Sequence, residues 1–309
     1  MNDIILHHHD PSPFAEKIRL IFGLKGLDWH SVEIPMVMPK PDLTALTGGY
    51  RKTPVLQIGA DIYCDTRLIA VELERRFPTP TLFPNGSKSV ALALGYWSDA
   101  TLFRSGATLS MGTNKQLPDA VLKDRLAFFD FMTEADISGP LSHFFGQFCA
   151  GLEQLEQMLG DGRSWLLGES ASWADLACYS PVWMCSTNIA GGDALLNRLP
   201  AITDWMARVA EIGHGNRHSV TASEALAISH NTAAELPAGA PVTAWSSLTA
   251  GTLVSVVPDD YGIDPSVGVL VTLNDHEIAI ARQHEAAGDV NVHFPRIGYR
   301  VLPCEENDA

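Results

Sequence analysis

Basic residues are scarce in this sequence of 309 residues. Lysine and arginine together number 21, against 36 aspartates and glutamates, so the formal net charge is −15. A surface of that sign repels phosphate backbones and anionic lipid headgroups. The composition therefore argues against nucleic acid and membranes as primary partners.

Cysteines and long apolar runs are also scarce. The cysteines are odd in number and form no C-x-x-C pair, which argues against a disulfide framework or a zinc site and favours reduced thiols. No stretch of about 18 consecutive apolar residues is present. The opening residues, MNDIILHHHD, lack the basic and then apolar segments of a signal peptide. We expect a cytoplasmic protein.

The patterns that are present divide the chain into three parts. Residues 1–84 carry short apolar runs and amphipathic segments in the order β-α-β and then β-β-α, which predicts a small α/β domain with a mixed sheet. Residues 87–230 show long helical periodicity, which predicts an all-α domain. Residues 238–309 hold four short, valine-rich, alternating runs, which predict a small all-β domain, either a barrel or a sandwich.

Ser12 stands between two prolines in the segment HDPSPFAEKIRL, directly before an amphipathic run. Serine at the N-cap with proline at the first helical position is a strong signal for the start of a helix. Gly26 is the expected end of that helix. A second start is the S-x-x-D pattern of Ser172 and Asp175, which predicts a capping box.

Three consecutive histidines, His7, His8 and His9, precede this helix. Neighbouring residues of a strand point to opposite faces, so three adjacent imidazoles cannot easily share one ion. We therefore expect no metal site here. His9 is instead a candidate for the border of an active site.

Four segments, taken in order, resemble the cytosolic glutathione transferases. They are SPFAEKIRLIFGLKGLDW, KTPVLQ, CDTRLIAVELERRFP and ESASWADLACYS. The resemblance covers roughly residues 1–220 and is nearest to the omega and tau classes, which have cysteine and serine, respectively, at the position of Ser12. It implies a thioredoxin-like first domain and a helical second domain. The β-rich C-terminal part is an addition to the usual two-domain plan of the family.

The resemblance implies glutathione as cosubstrate and Ser12 as the catalytic residue. Glutathione is an anionic tripeptide whose thiol must ionise before it attacks. A helix N-terminus carries roughly half a positive charge and free N–H donors. A serine hydroxyl that donates to the sulfur adds to this preference for the thiolate. Ser12 would thus stabilise the thiolate without losing its own proton.

The resemblance also assigns residues to the backbone and the glycyl end of glutathione. Pro54 is expected to be cis, with the main chain of Thr53 pairing with the cysteinyl part of the tripeptide. Lys40 matches the lysine that meets the glycyl carboxylate in the omega class, and Lys52 is a second candidate. A simple solvated lysine explains either position equally well. Phe14 is expected to line the thiol side, although packing on the sheet would also account for it.

Asp65 and Thr66 are the residues expected at the γ-glutamyl end of the tripeptide. Asp65 would take its ammonium group, and Thr66 would offer its hydroxyl and N–H to the α-carboxylate. The alternative is a plain D-T helix cap.

The pocket for the second substrate is expected between the first domain and the first long helix of the second. Tyr96, Trp97, Thr101 and Arg104 are the candidates on that helix, with His9 on the other side. Aromatic residues at this spacing are more often part of an ordinary core.

Two functional hypotheses follow. The leading one is a glutathione transferase that adds the thiol to an electrophilic small molecule, with conjugation, dehalogenation, ether cleavage and peroxide reduction all open. Serine at position 12 argues against thiol exchange. The alternative is a non-catalytic, transferase-like binding or scaffold protein.

The resemblance further implies a homodimer. The C-terminal strands could cover the active site, extend a dimer interface or recruit a partner.

Overall fold

The computed structural model describes residues 3–235 and 246–304. The chain divides into two compact units, which are discontinuous in sequence. The first comprises Met1–Ala15, Asp28–Val71 and Arg217–Ala309, and the second comprises Glu16–Leu27 and Glu72–Asn216. The predicted start of a third domain, at residue 238, lies outside the described residues.

The helices and strands follow the predicted order in most of the chain. The first part contains β1 (Ile4–His8), α1 (Pro13–Lys25), β2 (Asp28–Glu33), α2 (Pro41–Thr47), β3 (Val55–Ile58), β4 (Asp61–Cys64) and α3 (Thr66–Arg76). The middle part contains α4 (Lys88–Trp97), α5 (Arg104–Thr113), α6 (Asp119–Phe128), α7 (Glu134–Ser138), α8 (Ser142–Leu159), α9 (Trp173–Asn188), α10 (Gly192–Leu196) and α11 (Pro200–Ala210). The last part contains β5 (Asn216–Ser219), α12 (Ala222–His230), β6 (Leu253–Pro258), β7 (Ser266–Leu273), β8 (Glu277–His284), β9 (Gly288–Pro295) and β10 (Tyr299–Pro303).

One sheet runs through the first unit in the strand order β10-β6-β7-β8-β9-β4-β3-β1-β2-β5. The predicted C-terminal strands are present, but the expected separate barrel or sandwich is not what they form. They continue the α/β sheet, because β9 pairs in parallel with β4 and places Asn291 opposite Asp61 and His293 opposite Tyr63. An unpaired β4 would leave a row of N–H and C=O groups open, and β9 satisfies them.

A hydrophobic core spans both parts of this sheet. It joins apolar side chains of the first strands to those of the C-terminal strands, among them Ile5, Val55, Ile62, Val256, Ile280 and Phe294. Burial of such side chains contributes about 1.5–3 kcal/mol each. The C-terminal strands are therefore part of the first unit's core.

A buried polar network crosses the junction between β4 and β9. His293 Nε2 lies 2.9 Å from Asp61 Oδ1, and its Nδ1 pairs with Glu277. The imidazole stacks on the Tyr63 ring, with centroids 4.5 Å apart. Burial alone would lower the pKa of His293, but the hydrogen bonds and charges of the two carboxylates outweigh it and raise the pKa to about 9.

Residues 217–230 belong to the first unit and not to the predicted helical domain. Strand β5, with the sequence NRHS, is exposed at every residue. It therefore carries none of the apolar alternation by which strands are found. Helix α12 packs against the same core through Ala225, whose carbonyl accepts a 2.8 Å hydrogen bond from Gln57.

The second unit is helical, as predicted. Trp173, Trp205 and Phe148 are fully buried in it. The capping box of Ser172 and Asp175 is confirmed at the start of α9. A π-helical segment, Ser98–Phe103, joins α4 to α5. Among the described residues, no helix is long and apolar enough to cross a membrane.

Candidate functional site

The register of the sheet brings three predicted segments to the same end of their strands. Strand β3 is antiparallel to both β1 and β4, and Val55 at its start lies opposite His7 and Cys64. The end of β1, the start of β3 and the end of β4 therefore meet. These strand ends carry Ser12, Thr53 with Pro54, and Asp65 with Thr66, which together we call the candidate thiol site.

Ser12 is the N-cap of α1. Its Oγ accepts a 3.2 Å hydrogen bond from the Ala15 N–H, and its own N–H donates to the His9 carbonyl at 3.1 Å. The helix ends as predicted, at Lys25, with Gly26 at a φ of +61°. Because Oγ is the acceptor in the cap, the hydroxyl proton of Ser12 is still able to donate. The capping role and a role at a ligand are thus compatible.

Lys40 and Thr53 are brought together by the fold. Lys40 immediately precedes α2 and is buried, and its Nζ donates to Thr53 Oγ1 at 3.4 Å. The peptide bond between Thr53 and Pro54 is cis, as predicted. Phe14, the second residue of α1, is half-buried.

Asp65 links the end of β4 to the first residue of α3, the buried Thr66. Its φ is +75°, a conformation that residues with a Cβ rarely adopt and that is concentrated at functional sites. The Arg67 guanidinium donates to both of its carboxylate oxygens, at 3.1 and 2.9 Å. Burial would raise the pKa of Asp65, but Arg67 and the more distant Lys52 outweigh it and lower the pKa to about 2. Asp65 is therefore an ionised carboxylate.

Tyr299, on β10, also contacts Asp65. Its hydroxyl donates to Asp65 Oδ2 at 3.2 Å and lies 3.2 Å from the Tyr50 hydroxyl. Burial raises the pKa of both tyrosines well above the usual value, so both stay protonated at neutral pH. A residue 234 positions away in the chain thus contacts Asp65, a candidate for the γ-glutamyl end.

Lys52 also contacts residues that follow strand β6. Its ammonium pairs with Asp260 and lies 4.2 Å from the centroid of the Tyr261 ring. No motif in the sequence points to Asp260, Tyr261 or Tyr299. They belong to a turn and a strand that follow no motif, and only the pairing of the strands brings them to this end of the sheet.

The candidates for the electrophile pocket divide between the units. His9 is a buried residue of the first unit. In the second unit Tyr96 is exposed, Trp97 and Thr101 are half-buried, and the Arg104 guanidinium lies 5.2 Å from the Phe131 ring centroid. These four follow one helical stretch, with Thr101 in its π-helical segment. That they line a common pocket stays a prediction.

The histidine run is distributed over separate partners. His7 Nε2 donates to Gln57 Oε1 at 2.8 Å, and burial lowers the pKa of His7 to about 4, with this hydrogen bond partly opposing the shift. His8 Nε2 lies 2.9 Å from Ser31 Oγ. Within residues 3–235 and 246–304, no three His, Cys, Asp or Glu side chains are grouped as metal ligands.

Two family models match the chain. Residues 6–81 match the N-terminal domain of glutathione S-transferases, and residues 139–208 match their C-terminal domain. Among curated proteins, glutathione S-transferase U4 of Arabidopsis thaliana is 25% identical over 137 residues, which are 44% of this chain and 59% of that protein. The chain thus spans less than two thirds of the length of this relative.

Solved structures extend the similarity. A glutathione transferase from Burkholderia graminis, with two glutathione molecules bound per subunit, superimposes with a TM-score of 0.54 and 17% identity over 68% of this chain and 87% of its own. A GST-like protein from Pseudomonas syringae superimposes with a TM-score of 0.82 and 35% identity. This second similarity covers 98% of this chain and 100% of that protein, so it includes the C-terminal strands. The chain therefore belongs to the cytosolic glutathione S-transferase superfamily.

Proposed function

We propose that this protein is a glutathione-dependent transferase in which Ser12 stabilises the thiolate of glutathione for attack on an electrophilic small molecule. The observation that carries the proposal is the meeting of Ser12, Thr53 and Asp65 at one end of the sheet. Each belongs to a segment that a γ-glutamyl tripeptide would have to contact. Family membership supports glutathione as the cosubstrate.

The proposed role of Ser12 follows from its place at the start of α1. The glutathione thiol gives its proton to water, and the Ser12 hydroxyl donates to the resulting sulfur anion. The N-terminus of the helix adds a positive potential at the same place. Each unit by which the thiol pKa falls corresponds to about 1.4 kcal/mol, so one well-placed donor changes the thiolate population substantially. The sulfur then forms a bond to the electrophile, and a leaving group departs where there is one.

The rest of glutathione is assigned to the neighbouring residues. The main chain of Thr53 pairs with the cysteinyl unit, and Asp65 attracts the γ-glutamyl ammonium as an ionised carboxylate. The hydroxyl and N–H of Thr66 bind the α-carboxylate at the start of α3. Lys40 or Lys52 meets the glycyl carboxylate, and Phe14 lines the thiol side.

The second substrate is an electrophilic small molecule, and its candidate contacts are His9 in the first unit and Tyr96, Trp97, Thr101 and Arg104 in the second. Conjugation is the basic reaction in this proposal, and dehalogenation, ether cleavage and peroxide reduction are its variants. We further propose that the protein acts in the cytoplasm as a homodimer, following the habit of the family.

The test compares wild type with Ser12→Ala and Ser12→Thr on immobilised glutathione and in turnover of chlorodinitrobenzene. We expect retention of all three, a fall in turnover of about 100-fold for Ser12→Ala, and a much smaller fall for Ser12→Thr, which keeps the hydroxyl. The pKa seen in the pH dependence of turnover should rise in Ser12→Ala. Because this variant also loses a helix cap worth about 1 kcal/mol, its melting temperature is compared with that of Ser12→Thr. Failure of wild type to bind glutathione would disprove the proposal.

A non-catalytic binding protein is the second candidate, and one observation favours it. Asp65 and Lys52, two of the charged residues assigned to glutathione, already have charged partners within the chain, Arg67 and Asp260. Binding of glutathione by wild type and Ser12→Ala alike, with no turnover of any electrophile by either, would support this alternative.

A further inference from the structure

The loop between β6 and β7, residues 259–265, lies against the segment that precedes Pro54. Its Asp260 pairs with Lys52, and Asp264 Oδ2 lies 3.8 Å from the Arg51 guanidinium. The carbonyl oxygen of Pro265 is 2.8 Å from the position that a Cβ on Gly49 would occupy, so a larger residue would collide there. Two carboxylates of this loop therefore face the two consecutive cations that directly precede Thr53 of the candidate thiol site.

The ammonium of Lys52 is enclosed by this loop and by β10. It lies 4.2 Å from the Tyr261 ring centroid and 5.9 Å from the Tyr299 ring centroid, and only 13% of the Lys52 side chain is exposed. Aromatic faces attract a partly desolvated cation, which holds it in place beside Asp260. A ligand carboxylate that approached Lys52 would meet the carboxylate of Asp260 at the same ammonium.

From these contacts we propose that Asp260 is a specificity-determining residue of the candidate thiol site. We take Lys52, not Lys40, as the cation at the glycyl end; by pairing with Lys52, Asp260 removes the preference for a free carboxylate at that end of the thiol substrate. The substrates of the site are then γ-glutamyl-cysteinyl thiols whether or not that end is charged. The inference rests on the proposed function, since it concerns how the same site binds its thiol.

The physical reason is competition between like charges. A glycyl carboxylate gains the attraction of Lys52 only if it displaces Asp260 or accepts a position beside it, where the two anions repel each other. The net gain over an uncharged glycyl end is therefore small. In Asp260→Asn, the Lys52 ammonium loses its paired carboxylate. It then attracts a ligand carboxylate more strongly than an uncharged ester.

The experiment measures the dissociation constants of glutathione and of its glycyl ethyl ester by calorimetry. We expect wild type to bind the two within about twofold of each other, and Asp260→Asn to prefer the free acid by about tenfold. Asp259→Asn is the matched control, because it removes the same charge from the same loop at an exposed residue and should keep the wild-type ratio. When Lys52 is already replaced by Gln, adding Asp260→Asn should change the ratio of the two dissociation constants by less than about twofold.

The outcomes separate this inference from the proposed function. If wild type already prefers the free acid by tenfold, or if Asp260→Asn keeps the wild-type ratio, the inference is wrong and the transferase proposal stands. If neither wild type nor Asp260→Asn binds either compound, the proposed function fails and the inference fails with it. Asp260→Ser serves as a second variant, and melting temperatures show that each variant is folded.

Discussion

His293 Nε2 lies 2.9 Å from Asp61 Oδ1 across the junction of β9 and β4. This contact joins the C-terminal strands to the α/β sheet, and Glu277 holds the other ring nitrogen. Both His293 and Asp61 are almost completely buried. A protonated imidazole between two carboxylates is therefore a stabilising link between segments that are far apart in the chain.

We expect His293→Gln to lower the free energy of unfolding by about 3–5 kcal/mol, because it leaves buried carboxylates without their cation. Chemical denaturation, followed by fluorescence and circular dichroism, measures the loss. His276→Gln is the matched control, since His276 is an exposed histidine in the turn before β8. Equal stability of wild type and His293→Gln would contradict a charged imidazole at the junction.

The same group predicts a loss of stability at alkaline pH. The folded pKa of His293 is raised from 6.5 to about 9, so its contribution is complete below about pH 6.5 and disappears as the pH rises through 9. Unfolding curves of wild type and His293→Gln between pH 6 and pH 10 should therefore converge at the alkaline end. A constant difference across this range would show that the imidazole is not titrating there.

The lowered pKa of Asp65 predicts that the protein loses stability in acid. Its folded pKa is lowered from 3.8 to about 2, so its contribution is present above about pH 4 and is lost as the pH falls towards 2. The expected size is about 2 kcal/mol. Acid unfolding of wild type should be steeper in this range than that of Asp65→Asn, with the exposed Asp275→Asn behaving as wild type. Parallel acid curves for wild type and Asp65→Asn would refute the interaction with Arg67.

Two capping boxes in the second unit provide a comparison of burial. Buried Asp175 accepts from Ser172 N at 2.9 Å, Leu166 N at 2.8 Å and Trp205 Nε1 at 3.0 Å, whereas Asp136 caps α7 at the surface. We expect Asp175→Asn to lower the free energy of unfolding by about 3 kcal/mol, since the amide nitrogen that replaces one carboxylate oxygen cannot accept from the buried donors. Asp136→Asn should cost clearly less in the same denaturation experiment. Equal losses in the two variants would show that burial does not determine how much a capping box contributes to the free energy of unfolding.

Local signals in the sequence were sufficient for much of the fold. The proline after Ser12 and the glycine at position 26 bound α1 correctly, and S-x-x-D marked the start of α9. Alternation of valines located β6 and β7, because largely one face of each is buried. These features depend on residues within a few positions of one another, which is why the chain itself reveals them. Strand β5 was missed because four exposed polar residues carry no such pattern.

The sequence by itself determined where most of the helices and strands lie and which residues are candidates for binding a thiol ligand. Tertiary structure alone decided that the C-terminal strands join the first sheet rather than form a body of their own, because hydropathy shows which face of a strand is buried but not which strand lies beside it. It likewise decided that Asp260 meets Lys52 across 208 positions and that Tyr299 meets Asp65. Contacts between side chains so far apart in the chain follow from strand pairing, and no local pattern encodes them.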